Sequence, residues 1–131
     1  MIAHSDGPAG LRPEDLAPFF FGWRPAPTVE QRLNMLRGSA KVWLAFDGDR
    51  LIGFINAIMD GALMAFIPLL EVLPEYQGQG VGKAFVRRMT ESLATHYSVD
   101  IVCDPEVAPF YAKLGFIELS GMASRNRDSL R

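Results

Sequence analysis

Cysteine is almost missing from this chain. Cys103 stands alone among 131 residues, so no disulfide can form within the chain, and a reducing compartment suits it. Long apolar runs are missing too. The longest, Ala62 to Leu70, is nine residues and contains Pro68, whereas a bilayer crossing needs about 20. At the start, MIAHSDG is broken by His4 and Asp6 before a signal-like apolar stretch develops. No sign of charge dominates: 13 Lys and Arg face 15 Asp and Glu, for a net charge of −2. Without a positive surplus, nucleic acid is not expected as the main partner. His4 and His96 are isolated and offer no metal-ligand cluster with Cys103. These absences favour a cytoplasmic protein with neither membrane nor nucleic acid as partner.

What remains is ordinary globular composition, 49% hydrophobic and 21% charged. A chain of this length can bury roughly two-thirds of its unfolded surface. With no repeat, low-complexity tract or linker, it reads as one domain over residues 1–131.

Local patterns give an element order. Ile2 to Ser5 carry a weak strand signal. Pro13, Glu14 and Asp15 suit the first turn of a helix reaching about Phe20 and stopping near Gly22. Thr28 with Gln31 fits a capping box, and Val29, Leu33 and Leu36 recur at helical spacing, which predicts a second helix from Val29 to about Arg37. KVWLAF and RLIGFINAIM flank Asp47-Gly48-Asp49 as a hairpin, and Asp60-Gly61 turns into a third strand, ALMAFIPLLEVL. A long helix follows from Gly80 to about His96, with Val81, Phe85, Met89 and Leu93 on one face. SVDIVC reads as a short buried strand, PEVAPFYAKLG as a short helix closed at Gly115, and FIELSGM as a last strand.

The segment EYQGQGVGK, Glu75 to Lys83, invites comparison with phosphate-binding loops. A Walker A loop ending on Gly82-Lys83 would need Gly at position 77 and a hydroxyl at 84, where Gln77 and Ala84 stand. A GxGxxG fingerprint begun at Gly78 or Gly80 ends on Lys83 or Phe85. Both templates fail. A third fits: Gln77-Gly78-Gln79-Gly80-Val81-Gly82 matches Q/R-x-x-G-x-G/A between a strand and a helix. Downstream, Pro109-Phe110-Tyr111-Ala112-Lys113-Leu114-Gly115-Phe116 is very like FYxKxGF. Together, and in this order, the two motifs resemble the GNAT superfamily of N-acetyltransferases, the likeness being clear from about Val42 to Ile117.

That resemblance implies an α+β fold with a central, mostly antiparallel mixed sheet. A splayed parallel pair would lie at the cofactor site, and about four helices would flank the sheet. It also implies an acetyl-CoA-dependent enzyme that acetylates a primary amine by direct attack in a ternary complex. The loop Gln77, Gly78, Gln79, Gly80, Val81, Gly82 and Lys83 would cradle the pyrophosphate, since backbone N–H groups entering a helix N-terminus form an anion site. Arg87 and Arg88 are further candidates for the outer phosphates. Glu71, Val72 and Leu73 would lie on the strand whose edge binds the pantetheine arm, with the Val72 N–H polarising the thioester carbonyl. Asp104 stands where the family often has a pantetheine-binding Asn; when ionised it accepts but does not donate. Tyr111 matches the family's general acid.

Glu71 is the only ionisable residue from Ala62 to Leu73, so its carboxylate needs a cavity or a partner; a base role and a structural salt bridge both fit. Cys103 is expected as a small core residue. In Phe19-Phe20-Phe21-Gly22-Trp23 the three Phe side chains cannot all face one core. Phe20, Phe21 and Trp23 are candidates for an acceptor pocket, with helix-end packing or a homodimer contact as alternatives. A small-molecule amine is the expected acceptor, with a peptide or protein amine, or a non-catalytic acyl-CoA-binding module, as the other readings.

Overall fold

The computed structural model describes residues 1–130. Its strands are β1 (Ile2–Asp6), β2 (Lys41–Asp47), β3 (Arg50–Met59), β4 (Met64–Ile67), β5 (Leu70–Val72) and β6 (Ser98–Ile101). The helices are α1 (Val29–Gly38), α2 (Val81–Ser92) and α3 (Ala108–Ala112). The sheet runs β1-β2-β3-β4-β6, with β5 also on β3. Every pairing is antiparallel except β4 with β6, which is parallel from Met64↔Ser98 to Ile67↔Ile101. This is the mixed α+β architecture expected.

The expected third strand is interrupted. Pro68 has no N–H for the ladder, and the chain breaks into β4 and β5 around it. Buried Asn56 fills the break: its Oδ1 accepts from the Leu69 N–H at 3.2 Å, and its Nδ2 donates to Ser39 Oγ at 3.0 Å. Beyond Ile67 and Ile101 the parallel pair parts. β5 stays on β3 through Gly53↔Val72 and Ile55↔Leu70, and among the described residues no strand takes its other edge. The local sequence thus opens the sheet at one place.

α2 covers the sheet, packing on β2, β3 and β5. Val81, Phe85, Met89 and Leu93 are all buried, each worth roughly 1.5–3 kcal/mol of apolar transfer. Gly53 permits the close approach: a Cβ there would lie 2.9 Å from the Phe85 ring and 2.9 Å from the Glu71 carbonyl oxygen.

Two expected elements differ. The helix from Pro13 to Phe20 is a single 3-10 turn, Pro13–Leu16, tied by the Arg12 N–H and guanidinium to Asp15. After Ala17 the backbone leaves regular helical geometry up to the start of α1, with Phe20 at φ 63. FIELSGM forms no strand; Ile117, Leu119 and Met122 are exposed. Its alternation is strand-like, but strand preference is realised only against a pairing neighbour. Among the described residues, 117–125 make no backbone hydrogen bond. The capping box at α1 forms as expected, with Thr28 Oγ1 accepting from the Gln31 N–H and Gln31 Oε1 from the Thr28 N–H.

Candidate active site

The loop between β5 and α2 is braced at its entrance. Glu75 pairs with Arg50 at 2.8 Å, and the Tyr76 hydroxyl donates to Asp47 at 2.6 Å, fixing the 3-10 turn Pro74–Tyr76 to the β2–β3 hairpin. Gln77 Nε2 then donates to the Val72 carbonyl oxygen at 3.0 Å. Gly78 and Gly80 take φ of 77 and 84, a region that costs a residue with a Cβ about 1–2 kcal/mol. Gly80 is also the N-cap of α2 and supplies no side chain to it. Consequently, among the described residues, the N–H groups of Gly78 to Lys83 make no hydrogen bond. Six consecutive donors at a helix start, with the dipole behind them, suit a pyrophosphate. A Cβ on Gly78 or Gly80 would meet no protein atom within 4 Å, so this face of the loop lies open.

The edge of β5 continues this donor set. The Leu73 N–H is spent on the Ile52 carbonyl oxygen at 2.9 Å, and Leu69 O accepts from Asn56 N. Main-chain groups alternate sides along an antiparallel strand, so Glu71 follows Leu69 and Leu73 toward β3. The N–H of Val72 points to the open edge. Leu73 offers that edge no N–H, and its buried side chain belongs to the core.

Glu71 is half-buried. Its Oε1 accepts from the Phe20 N–H at 2.9 Å, while buried Oε2 has no partner. Among the described residues it forms no ion pair, so the salt-bridge alternative is not realised. Burial raises its pKa above the ordinary carboxylate value, against the opposing Phe20 hydrogen bond and the nearby Arg32 charge. Phe20 holds a left-handed conformation, and Glu71 helps keep it there.

Tyr111 is 6% exposed, its ring set edge-on against Phe110 at 4.9 Å and Phe116 at 5.5 Å. Burial, then the neighbouring Cys103, pushes its phenol up to about 12. Phe110 also reaches α2: a Cβ on Gly82 would lie 3.7 Å from its ring. Hence α3 rests against the glycine loop. Cys103 is exposed, not a core residue; it lies beyond the end of β6, where the parallel pair has parted. Asp104 follows it, also exposed.

The aromatic run divides as its length requires. Phe19 and Phe20 are buried, Phe21 is 84% exposed, and Trp23 is 45% exposed. Phe20 lies 4.9 Å from the Trp23 ring and stacks with Phe54 at 6.4 Å. Trp23, not Phe20 or Phe21, lines an open cavity of about 540 Å³, shared with Arg24, Pro25, Asp104 and residues 125–127 and 130. Lys83 is exposed in the first turn of α2. Arg88 is turned onto the Trp43 ring, 5.4 Å away.

Sequence reasoning missed Arg32. Its guanidinium is buried and donates to the carbonyl oxygens of Leu16, Ala17, Phe19 and Pro27 at 2.9–3.1 Å. It therefore holds the irregular segment that carries Phe20 and Trp23. The one available signal was its i,i+4 spacing to Leu36, on the border of the apolar stripe.

Comparison with known proteins agrees with this geometry. A family model described as an acetyltransferase (GNAT) domain matches residues 14–129. The crystal structure of a candidate acetyltransferase from Deinococcus radiodurans R1 is 39% identical, with a TM-score of 0.92 over 97% of this chain and 90% of that one. A GNAT-family acetyltransferase from Streptococcus pneumoniae is 28% identical, with a TM-score of 0.80 over 97% and 99%. Among curated relatives, the uncharacterised N-acetyltransferase ycf52 of Porphyra purpurea is 30% identical over 102 residues, covering 74% of this chain and 59% of that protein. The chain thus spans little more than half the length of that relative. On the match across residues 14–129, this chain belongs to the GNAT acetyltransferase family.

Proposed function

We propose that residues 1–131 form a single-domain N-acetyltransferase that moves the acetyl group of acetyl-CoA to a primary amine of a small molecule, by direct attack in a ternary complex. The observation that carries this reading is the continuous open donor set: six free N–H groups from Gly78 to Lys83 beside the outward Val72 N–H on β5. When bound, acetyl-CoA supplies the acetyl group as a thioester, whose C–S bond is exchanged for an amide bond. Gln77, which ties the loop to Val72, shapes the pyrophosphate cradle, and Gln79 and Lys83 lie along it. Leu73 and Val81 anchor the cradle's flanks in the core. Asp104 accepts from an N–H of the pantetheine arm.

The Val72 N–H donates to the carbonyl oxygen as it gains negative charge, a term worth about 3 kcal/mol in comparable sites. Glu71 takes the amine's proton on Oε2, the oxygen left free by Phe20. Its raised pKa makes it a better base than an exposed carboxylate. Tyr111 stays protonated throughout the neutral range and donates toward the departing sulfur. With the phenol near 12, full transfer to a thiolate is uphill, so its contribution is chiefly the hydrogen bond, solvent completing the thiol. Trp23 forms the wall of the acceptor side, with the buried Phe20 ring behind it and exposed Phe21 beside it in sequence.

A protein amine is the second reading, supported by similarity to a Glycine max protein named as a histone acetyltransferase, 39% identical over 69 residues. We also place the protein in the cytoplasm, where the exposed thiol of Cys103 would remain reduced. The deciding assay incubates acetyl-CoA with panels of small amines and of lysine peptides and follows free thiol. Amine-dependent thiol release is expected from the small-molecule panel. Saturable acetyl-CoA binding with no release from either panel would instead favour a non-catalytic acyl-CoA-binding module.

A further inference from the structure

The cavity beside Trp23 has a charge pattern that the donor cradle does not explain. Arg24, Arg125 and Arg127 line it together, with Asp104 as the only carboxylate among the described lining residues. Among the described residues none of these three guanidiniums makes an ion pair or a side-chain hydrogen bond. Four other arginines are engaged, Arg12 with Asp15, Arg50 with Glu75, Arg32 with main-chain carbonyls and Arg88 on Trp43, while Arg37 and Arg87 stand apart on helix surfaces. Three like charges around one open space repel one another unless an anion joins them.

The tail that brings two of these arginines is held in place. Gln31 Nε2, on α1, donates to the Ser129 carbonyl oxygen at 2.9 Å. Asn126 Oδ1 accepts from the Asp128 N–H, and the Ser129 hydroxyl donates to the Asn126 carbonyl oxygen. Position adds the second argument. On one rim, Trp23 packs on Phe20, whose N–H binds Glu71. On the other, Asp104 adjoins Cys103, the neighbour of Tyr111. Each rim is thus linked through intervening residues to one of the two proposed reactive groups, Glu71 and Tyr111.

We propose that the acceptor amine also carries an oxyanion, a carboxylate or a phosphate, which seats against Arg24, Arg125 and Arg127 while the amine end reaches toward Glu71. Guanidinium groups suit either anion through paired N–H donors, and Trp23 supplies an apolar wall for the connecting carbons. This deepens the acetyltransferase reading and rests on it.

Three primary amines of equal spacing test the proposal: ethanolamine, β-alanine and O-phosphoethanolamine. In the wild-type protein at least one anionic amine should exceed ethanolamine about tenfold in kcat/KM. The R125Q/R127Q protein should lose that advantage while keeping its Tm and its acetyl-CoA affinity. The order of β-alanine and O-phosphoethanolamine identifies the anion. Ethanolamine used as well as both, or an advantage that survives in R125Q/R127Q and in R24Q, would overturn it. If none of the three is acetylated, calorimetric titration of O-phosphoethanolamine and β-alanine into CoA-saturated protein decides. Binding lost in R125Q/R127Q supports the assignment, and binding that is absent or indifferent to the arginines overturns it. Failure of acetyl-CoA to bind would sink the donor reading, yet the same titration without donor still tests the cavity through its arginine dependence.

Discussion

The two sides of the candidate site are built in different ways. The proposed donor side, β5 through the glycine loop into α2, presents unpaired main-chain N–H groups outward and is anchored in the core by Leu73, Val81 and Phe85. The proposed acceptor side, residues 17–27 with the tail from 125 to 130, has almost no regular structure. It is held by side chains that reach main-chain atoms: Arg32 to four carbonyl oxygens, Glu71 to the Phe20 N–H, Gln31 to Ser129. A donor common to a family can be bound by backbone, which any sequence supplies. An acceptor must be recognised by side chains, and loops tied by a few polar contacts can change without disturbing the sheet.

Breaking the acceptor side at its hub should have the largest effect. Arg32→Met removes donors to four carbonyl oxygens in a segment that has few other bonds, and charge-assisted hydrogen bonds are worth about 1.5–3 kcal/mol each. A loss of about 3 kcal/mol or more in unfolding free energy is expected by denaturant titration. Acetyl-CoA affinity of the folded protein should change little if the two sides are separable; an unchanged midpoint would show that Arg32 does not hold the loop.

Tyr111→Phe acts on the donor side's chemistry alone. A fall of about a hundredfold in kcat is expected, with acetyl-CoA affinity by calorimetry nearly unaltered. Turnover equal to wild type would remove the phenol from the reaction. Because that phenol titrates near 12, it should give the wild-type rate no alkaline limb below about pH 10.

Glu71→Gln is the finest probe, since Gln can still accept from Phe20. Burial raises the Glu71 pKa in the folded state, so the carboxyl is stabilising below its unfolded pKa, and that contribution is lost as pH rises through the folded pKa. The Gln variant should therefore be slightly more stable than wild type at neutral pH, the gap closing in acid. In activity, the wild-type acid limb should disappear in the variant, at a lower plateau. A Tm difference that grows as pH falls would contradict the burial argument; an unchanged limb would contradict the base role.

Legibility in the sequence follows the same division. Thr28 and Gln31, the Asp47-Gly48-Asp49 hairpin and the Val81–Leu93 stripe are local or periodic, and each appears where the pattern puts it. The glycine loop was readable because failed templates left one spacing that fitted. Pro13–Phe20 reads as a helix because acids follow a proline, yet Arg32, distant in sequence, takes the Leu16, Ala17 and Phe19 carbonyl groups and bends the chain away from helical geometry. FIELSGM has a strand's alternation without a ladder to join. Phe20 reads as a pocket wall from its place in an aromatic run; its ring is core and it is its N–H that reaches Glu71. Arg24 stands 101 residues before Arg125, and it meets Arg125 and Arg127 only in the fold.

The central claim is that the main chain of this loop and of β5 binds the donor. Amide NMR of the protein titrated with acetyl-CoA tests it residue by residue. The N–H signals of Gly78 to Lys83 and of Val72 are expected to shift most and to become protected from exchange. Saturable binding that leaves those seven amides unmoved, and perturbs the Arg125–Arg127 turn instead, would contradict it.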